Sequence, residues 1–175
     1  MIITLTAGHS DADPGAWYGG HAESELMELL RNDVAQALRD AGHTVRTDGA
    51  GAYNLPLQDA IKLIAGSDIA IELHTNAFVN PNARGVEVVA LPARKHDAQR
   101  IAHAIAQALG SRVRGLDGWI DQSQTHRGRL GFVNAGGLIV ETFFLSNPQE
   151  RNAFFANRGA IVQALADSIT AGSLA

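Results

Sequence analysis

Two mostly apolar segments of this 175-residue chain constrain the fold most. Residues 138–144 (LIVETFF) are rich in β-branched and aromatic side chains, and residues 68–74 (DIAIELH) are apolar at four of seven positions, as expected of buried strands. Strands of this kind pack on both faces, which is typical of a parallel sheet covered by helices. The pattern therefore predicts an α/β fold.

Helical patterns alternate with short strands along the rest of the chain. Further strands are expected at residues 2–7, 43–47, 85–91 and 129–133. Helices are expected around residues 23–41, 55–65, 93–109 and 148–171, the first three followed by glycine. Residues 111–128 are polar and rich in glycine, which predicts a long surface loop. We therefore expect one domain, residues 1–175, with a mixed, mostly parallel sheet and helices on both faces.

The composition excludes several classes of protein. The chain has no cysteine, which excludes a disulfide scaffold, a cysteine zinc finger, an iron–sulfur site and a thiol nucleophile. Its net charge of −4 comes from interspersed charges, which argues against a nucleic-acid partner and a polybasic membrane patch. The first residues lack the basic segment of a signal peptide, and no stretch approaches the roughly 20 apolar residues of a membrane span. We therefore expect neither an export signal nor a membrane anchor.

Polar residues with possible chemistry lie at the ends of the predicted strands, where ligands bind in open α/β sheets. His9 comes just after the first strand, and His74 ends the strand DIAIELH. Glu141 lies inside the apolar strand LIVETFF. A single histidine at a strand end often has only a structural role. A buried carboxylate, however, needs a partner or a raised pKa, so Glu141 is the stronger functional candidate.

Two histidines and one carboxylate form a standard catalytic zinc shell. The carboxylate is expected near the start of the first helix, where Glu23, Glu25 and Glu28 are available. Glu23 shares the core-facing side of this helix, whereas Glu25 and Glu28 are expected to be solvated. His21 is a rival ligand. Glu72 lies on the same side of its strand as the second histidine, so it is either another ligand or a partner that orients that histidine.

Four blocks of the sequence resemble the zinc-dependent N-acetylmuramoyl-L-alanine amidases. AGHSDADPGA (7–16) resembles the family's GHGG-x-DPGA opening, and ESEL (23–26) resembles its Glu-Lys-Asp-Leu helix start. ELHTNA (72–77) resembles its S-I-H-x-N-A block, and VETFFLSN (140–147) resembles its V-E-x-G-F-L-S-N block. The blocks occur in the family's order and span essentially the whole chain. The departures are Ser10 in place of glycine and Thr142-Phe143 in place of x-Gly.

The resemblance implies a function and a site. His9, Glu23 and His74 match the three zinc ligands, and Glu141 matches the catalytic glutamate. The implied substrate is peptidoglycan, cut at the amide between the lactyl group of N-acetylmuramic acid and L-alanine. The implied form is a bare catalytic domain close to single-domain phage lysins, without a separate wall-binding domain. Such a lysin is made in the host cytoplasm and acts on the cell wall, and we expect a monomer.

Three alternatives remain at this point. One is a zinc peptidase that cuts a stem-peptide or cross-link bond. Another is a non-catalytic peptidoglycan-binding module that retains the fold. The third is a serine hydrolase, since GHSDA (8–12) loosely resembles a nucleophile elbow, although that motif needs a helix to begin at once.

Other loop and surface residues give less specific expectations. GAGAYN (49–54) is expected to be a plain loop. The basic cluster at 126–129, which begins with His126, is either solvated or a lid that contacts substrate carboxylates. Three aromatic residues in predicted loops are expected to stack on sugar rings or to anchor their loops: Trp17, Tyr18 and Trp119. Three further histidines are expected at the surface: His43, His96 and His103.

Overall fold

A six-stranded mixed sheet organises the molecule, which is described here as a computed structural model covering residues 1–10, 12–125 and 128–172. The strands are β1 (Ile2–Ala7), β2 (Trp17–Tyr18), β3 (His21–Ala22), β4 (Thr44–Thr47), β5 (Ile69–Asn76), β6 (Glu87–Ala90), β7 (Trp119–Asp121) and β8 (Leu138–Phe144). The helices are α1 (Glu23–Asp40), α2 (Leu57–Lys62), α3 (Lys95–Leu109), α4 (Gly131–Asn134) and α5 (Pro148–Ala171).

The strand order in the sheet is β4-β1-β5-β8-β6-β7. The first four strands of this order run parallel, as does the pair β6 and β7, whereas β6 runs antiparallel to β8. Strands β2 and β3 form a separate antiparallel hairpin between β1 and α1. The predicted mixed, mostly parallel sheet is therefore confirmed.

Helices cover both faces of the sheet, but unequally. The larger face packs against α1, α3 and α5, and its core includes alternate residues of β5: Ile69, Ile71 and Leu73. The smaller face packs against the short helices α2 and α4 around Phe132 and Ile139. Because side chains alternate along a strand, Glu72 and His74 lie on this smaller face. Its thin cover leaves room for a site at the carboxyl ends of the parallel strands.

Two predicted elements were wrong. The segment 129–133, predicted as a strand, lies partly in helix α4, where Phe132 and Val133 are buried against the smaller face. The segment 111–128, predicted as a long loop, contains β7, which pairs with β6. Trp119 packs in this strand and donates its indole N–H to the Ala90 carbonyl at 3.0 Å, so it belongs to the sheet. Both elements are very short, and tertiary contacts rather than sequence periodicity determine them.

Phe143, which stands where the family pattern has glycine, is fully buried. Its ring stacks on Phe154 of α5 with 4.7 Å between the ring centroids. Asn147 caps α5 by accepting hydrogen bonds from the backbone N–H groups of Gln149 and Glu150. Phe143, the residue that departs from the family pattern, therefore packs β8 against the C-terminal helix.

Within residues 1–10, 12–125 and 128–172, no helix combines the length and the apolar character that crossing a membrane requires.

The stacked phenylalanine pair yields a stability prediction. Phe154→Ala removes a fully buried ring and should lower the free energy of unfolding by about 3–5 kcal/mol. The control is Phe155→Ala, which removes the adjacent ring, 43% exposed, and should cost less than about 1 kcal/mol. Urea unfolding followed by circular dichroism measures both values. Equal losses for the two variants would contradict the packing described here.

Candidate metal centre

Three side chains from distant parts of the chain meet at one edge of the sheet. His9 follows β1, Glu23 begins α1 and His74 lies in β5. One donor atom from each residue lies within 4.8 Å of the others. The structure therefore brings together the residues that the sequence proposed as a metal shell.

The Glu23 carboxylate lies between the two imidazoles. Its Oε2 atom is 3.1 Å from His9 Nε2, and its Oε1 atom is 3.1 Å from His74 Nδ1. The backbone N–H of Thr75 donates to Oε1 at 2.9 Å, and that of Ala16 donates to Oε2 at 3.1 Å. The carboxylate is buried and oriented by backbone groups on both oxygens, so its position is fixed from two sides.

Each imidazole has a further carboxylate on its other nitrogen. His9 Nδ1 is 3.2 Å from Asp13 Oδ2, and His74 Nε2 is 3.1 Å from Glu72 Oε2. Carboxylates in this position fix the tautomer and the orientation of metal-binding histidines. The contact supports the prediction of Glu72 as an orienting partner of His74.

Close backbone approach shapes the site around these rings. A Cβ atom at Gly8 would overlap the His74 ring. A Cβ atom at Gly15, whose φ is +71°, would lie 2.7 Å from Glu23 Oε2. Glycine at both positions therefore allows the backbone to pass directly beside the donor atoms.

The cluster is strongly coupled electrostatically. Hydrogen bonding to Glu23 raises the pKa of His9, although burial opposes the increase. Burial also opposes protonation of His74, but hydrogen bonds to Glu23 and Glu72 outweigh it and raise the pKa of His74 well above its ordinary value. Burial favours a neutral Glu23, yet hydrogen bonds from both histidines hold the pKa of Glu23 far below its usual range. Protons therefore occupy the imidazoles rather than the carboxylate.

The donor set fits a divalent transition-metal ion. Two imidazole nitrogens and one carboxylate oxygen match the three protein ligands of many catalytic zinc sites. Imidazole also suits copper, iron and nickel, so the donor types alone do not select one metal. The arrangement is a possible histidine–glutamate metal site.

Glu141 lies in the strand next to this cluster. It is the register partner of His74 across β5 and β8 and of Glu87 across β8 and β6. Its Oε2 atom is buried and has no hydrogen-bond partner among the residues that the structure describes. Burial raises the pKa of Glu141 to about 7, with the charges of Glu23 and Glu87 adding to the increase and that of His74 opposing it. A carboxyl group with this pKa can both take up and release a proton near neutral pH.

Glu87 is part of the site and was missed in the sequence. Its Oε1 atom accepts from Asn76 Nδ2 at 2.9 Å, and its Oε2 atom accepts from Arg114 Nε at 2.6 Å. The signal that singled out Glu141, a carboxylate within an apolar strand, is also present at Glu87 and could have found it.

The other candidate ligands lie outside the donor cluster. Glu25 is exposed, and its side chain accepts a hydrogen bond from the Ala22 backbone N–H, which caps α1. Glu28 is buried, so the prediction that it is solvated was wrong. His21 packs against the Phe155 ring with 4.9 Å between centroids.

The Ser10 region does not form a nucleophile elbow. Ser10 pairs with Asp13 in an isolated β-bridge, and the first helix begins only at Glu23. A nucleophile elbow requires a helix directly after the serine. The geometry therefore argues against the serine-hydrolase alternative.

The predicted loop aromatics and surface histidines lie in different environments. Trp17 and Tyr18 are exposed on the β2–β3 hairpin, where sugar stacking stays a prediction. His96 and His103 are exposed as predicted, whereas His43 is half-buried. His126 lies outside the residues that the structure describes.

A cavity of about 210 Å³ opens beside the cluster. His9, Glu72 and His74 form its polar side, and Leu55 and Phe132 contribute to an apolar wall. The cavity therefore gives a small ligand access to the donor atoms.

Comparisons with known proteins agree on one family. A family model described as N-acetylmuramoyl-L-alanine amidase matches residues 3–172. The amidase AmiA of Escherichia coli (strain K12) is 27% identical over 132 residues, which cover 74% of this chain and 44% of AmiA. The chain spans about half the length of the curated relatives it matches, 44% for this AmiA and 46% for AmiC of Neisseria meningitidis.

Solved structures show the same likeness. A crystal structure described as an N-acetylmuramoyl-L-alanine amidase from Neisseria meningitidis is 44% identical, with a TM-score of 0.92 and coverage of 98% of this chain and 95% of that chain. AmiC2 of Nostoc punctiforme shares the fold at 19% identity, with a TM-score of 0.81 and coverage of 100% and 98%.

Substitution of a cluster histidine tests the metal site directly. His74→Ala should abolish stoichiometric binding of zinc, because it removes one of three donor atoms. His103→Ala is the matched control, since His103 is exposed and forms an ion pair with Asp117 away from the cluster. Metal content of purified protein after zinc loading and dialysis measures the effect. A His74→Ala protein that retains one zinc per chain would remove His74 from the shell.

The raised pKa values predict proton release when metal binds. Metal-binding imidazoles must be neutral, so zinc has to displace the protons that Glu23 holds on His9 and His74. Two histidines with ordinary pKa values would release about half a proton in total at pH 7, and we expect clearly more. Affinity should therefore increase as the pH rises above about 6.5. Titration calorimetry in buffers of different ionisation enthalpy measures this, and the absence of proton release would contradict it.

Proposed function

The chain belongs to the N-acetylmuramoyl-L-alanine amidase family, and from this premise we propose that it is a zinc-dependent peptidoglycan hydrolase. The bond cleaved is the amide between the lactyl group of N-acetylmuramic acid and L-alanine of the stem peptide. The observation that carries the proposal is the convergence of His9, Glu23 and His74 beside Glu141, whose Oε2 atom is buried. The family's relatives support amide hydrolysis as the reaction.

In this proposal His9, Glu23 and His74 hold the zinc ion. When bound, zinc supplies Lewis-acid polarisation of the amide carbonyl and lowers the pKa of water. The donor set supports this assignment because two histidines and one carboxylate leave a fourth position open in a tetrahedral site.

Glu141 moves the proton. Hydrolysis requires a base that removes a proton from the attacking water and an acid that delivers one to the leaving amine. The Oε2 atom of Glu141 has no competing partner in the described part of the chain, and the raised pKa suits both steps. Glu87, held by Asn76 and Arg114, places a second negative charge next to Glu141 and favours its protonated form.

The cavity beside the metal site has an apolar wall that suits the groups around the scissile bond. The lactyl group carries one methyl group on one side of the amide, and L-alanine carries one on the other side. Leu55 and Phe132 offer an apolar wall of matching character next to His74.

The alternative functions predict different products. An amidase releases the complete stem peptide with a free L-alanine amino group, whereas a peptidase leaves L-alanine attached to the sugar. A binding module releases neither product. The presence of all three donors and of Glu141 favours an active enzyme.

Action as a phage lysin, synthesis in a host cytoplasm and a monomeric state stay predictions of the sequence. The chain covers about half the length of its curated relatives, and the activity of those whole proteins is proposed for it here.

Replacing the proposed acid–base residue tests the mechanism. Glu141→Gln should lower kcat by at least about 100-fold, because general acid–base catalysis contributes roughly 10²–10⁴-fold. Zinc content should stay at the wild-type level, since Glu141 is not a ligand in this proposal. Release of free L-alanine amino groups from purified sacculi measures the rate.

The matched control is Glu25→Gln, in which an amide oxygen can still cap Ala22. This variant should keep wild-type activity. Substantial turnover by Glu141→Gln would rule out the acid–base role, and release of stem peptide without a new L-alanine amino terminus would rule out the amidase assignment.

A further inference from the structure

A buried polar cluster of Arg31, Asp48 and Asn54 lies outside the donor set and the acid–base residue. Arg31 and Asp48 are fully buried, and Asn54 is only 3% exposed. Arg31 Nη1 donates to Asp48 Oδ1 at 3.0 Å and to Asn54 Oδ1 at 2.7 Å. Burying a charged pair carries a large desolvation penalty that can exceed the attraction between the charges. Added stability alone therefore does not account for the pair of Arg31 and Asp48.

The cluster holds the carboxyl end of β1 through both the N–H and the carbonyl group of Ala7. The Ala7 backbone N–H donates to the Asp48 carboxylate at 3.2 and 3.3 Å. Asn54 Nδ2 donates to the Ala7 carbonyl at 2.8 Å and to the His9 carbonyl at 2.8 Å. Asn54 therefore contacts the backbone of a proposed metal ligand directly.

The orientation of the Asn54 amide follows from its neighbours. Arg31 Nη1 is only a donor, so the atom facing it has to be the amide oxygen. The opposite end is then the NH2 group, which faces two carbonyl oxygens that can only accept. A carboxylate at this position would keep the first contact and lose the other two.

His9 needs such a restraint because its backbone has an unusual conformation. Its φ is +69°, in the left-handed region that residues other than glycine rarely adopt. Holding a residue there costs on the order of 1–3 kcal/mol and requires support from the surroundings. In the extended conformation the Cα–Cβ bond of His9 would point in a different direction.

Arg31 also connects the second proposed ligand to the first. It lies in α1 about two turns after Glu23, so through Asp48 and Asn54 its guanidinium group joins the helix that begins at Glu23 to the segment that follows β1.

We propose that Asn54, held in place by Arg31 and Asp48, is a positioning residue that sets the His9 backbone for metal binding. This inference rests on the proposed function in taking His9 as a ligand. The cluster forms with protein groups alone, so the geometry of His9 is set before metal arrives.

The test uses cobalt(II), whose visible absorption reports the geometry of its ligands. Asn54→Asp should weaken zinc binding by about 10–100-fold, as loss of an orienting contact typically does, and should alter the cobalt spectrum. Asn54→Ala should have the same effects, and it serves as the second variant if repulsion in Asn54→Asp prevents folding. Zinc affinity is measured by competition with a chelator, and the Tm of each metal-free variant is measured in parallel.

Asn32→Ala is the matched control. Asn32 accepts hydrogen bonds from Arg31 and donates to the Gly51 carbonyl at 2.8 Å, so it supports the same guanidinium and the same loop. The described structure has no hydrogen bond from Asn32 to β1 or His9. Its loss should lower Tm while leaving zinc affinity and the cobalt spectrum unchanged. A purely structural role for Asn54 would give the same result for both positions.

A measurement on the wild-type protein does not depend on the variants. In the metal-free protein the His9 Cα and Cβ chemical shifts should be those of the left-handed conformation, and zinc should change them little. Averaged coil shifts before zinc addition would overturn the proposal, as would wild-type cobalt spectra and affinities in both Asn54 variants. Failure of the wild-type protein to bind zinc or cobalt would instead overturn the proposed function.

Discussion

The buried carboxylate of Glu23 is the interaction on which the site depends. It joins the loop after β1 to β5 through two imidazoles, and the backbone N–H groups of Ala16 in that loop and of Thr75 in β5 fix its oxygens. A buried charge without these partners would be strongly destabilising. The N-terminus of α1 and the carboxyl ends of two strands therefore have to meet for the fold to tolerate this residue, and the donor set is a direct result of that requirement.

The two faces of the sheet carry different kinds of side chain. The larger face carries the apolar core under three long helices, whereas the smaller face carries His74, Glu141 and Glu87 side by side on neighbouring strands. This row places the proposed metal ligand His74, the proposed proton-transfer group of Glu141 and the carboxylate of Glu87 at strand-to-strand spacing. Thin cover by α2 and α4 leaves a cavity at the His74 end of the row.

Much of this arrangement could be predicted because strand ends and helix faces leave clear periodic signals. His9, His74 and Glu141 stood out as polar residues at or within apolar strands, and Glu23 followed from its position on the core-facing side of α1. Other parts left no such signal. Helix α4 and strand β7 are too short for periodicity, and the segment 49–54, which looked like a plain loop, holds Asn54 in a contact that only the folded chain brings together.

The reversed direction of β6 has a consequence for how this scaffold can change. Because β6 runs against β8, its first residue, Glu87, reaches the same edge as the last residues of the parallel strands. Part of the electrostatic environment of Glu141 thus comes from a segment outside the cluster of His9, Glu23 and His74. Substitution of Glu87 in β6 can therefore change the charge beside Glu141 while every donor of that cluster is kept.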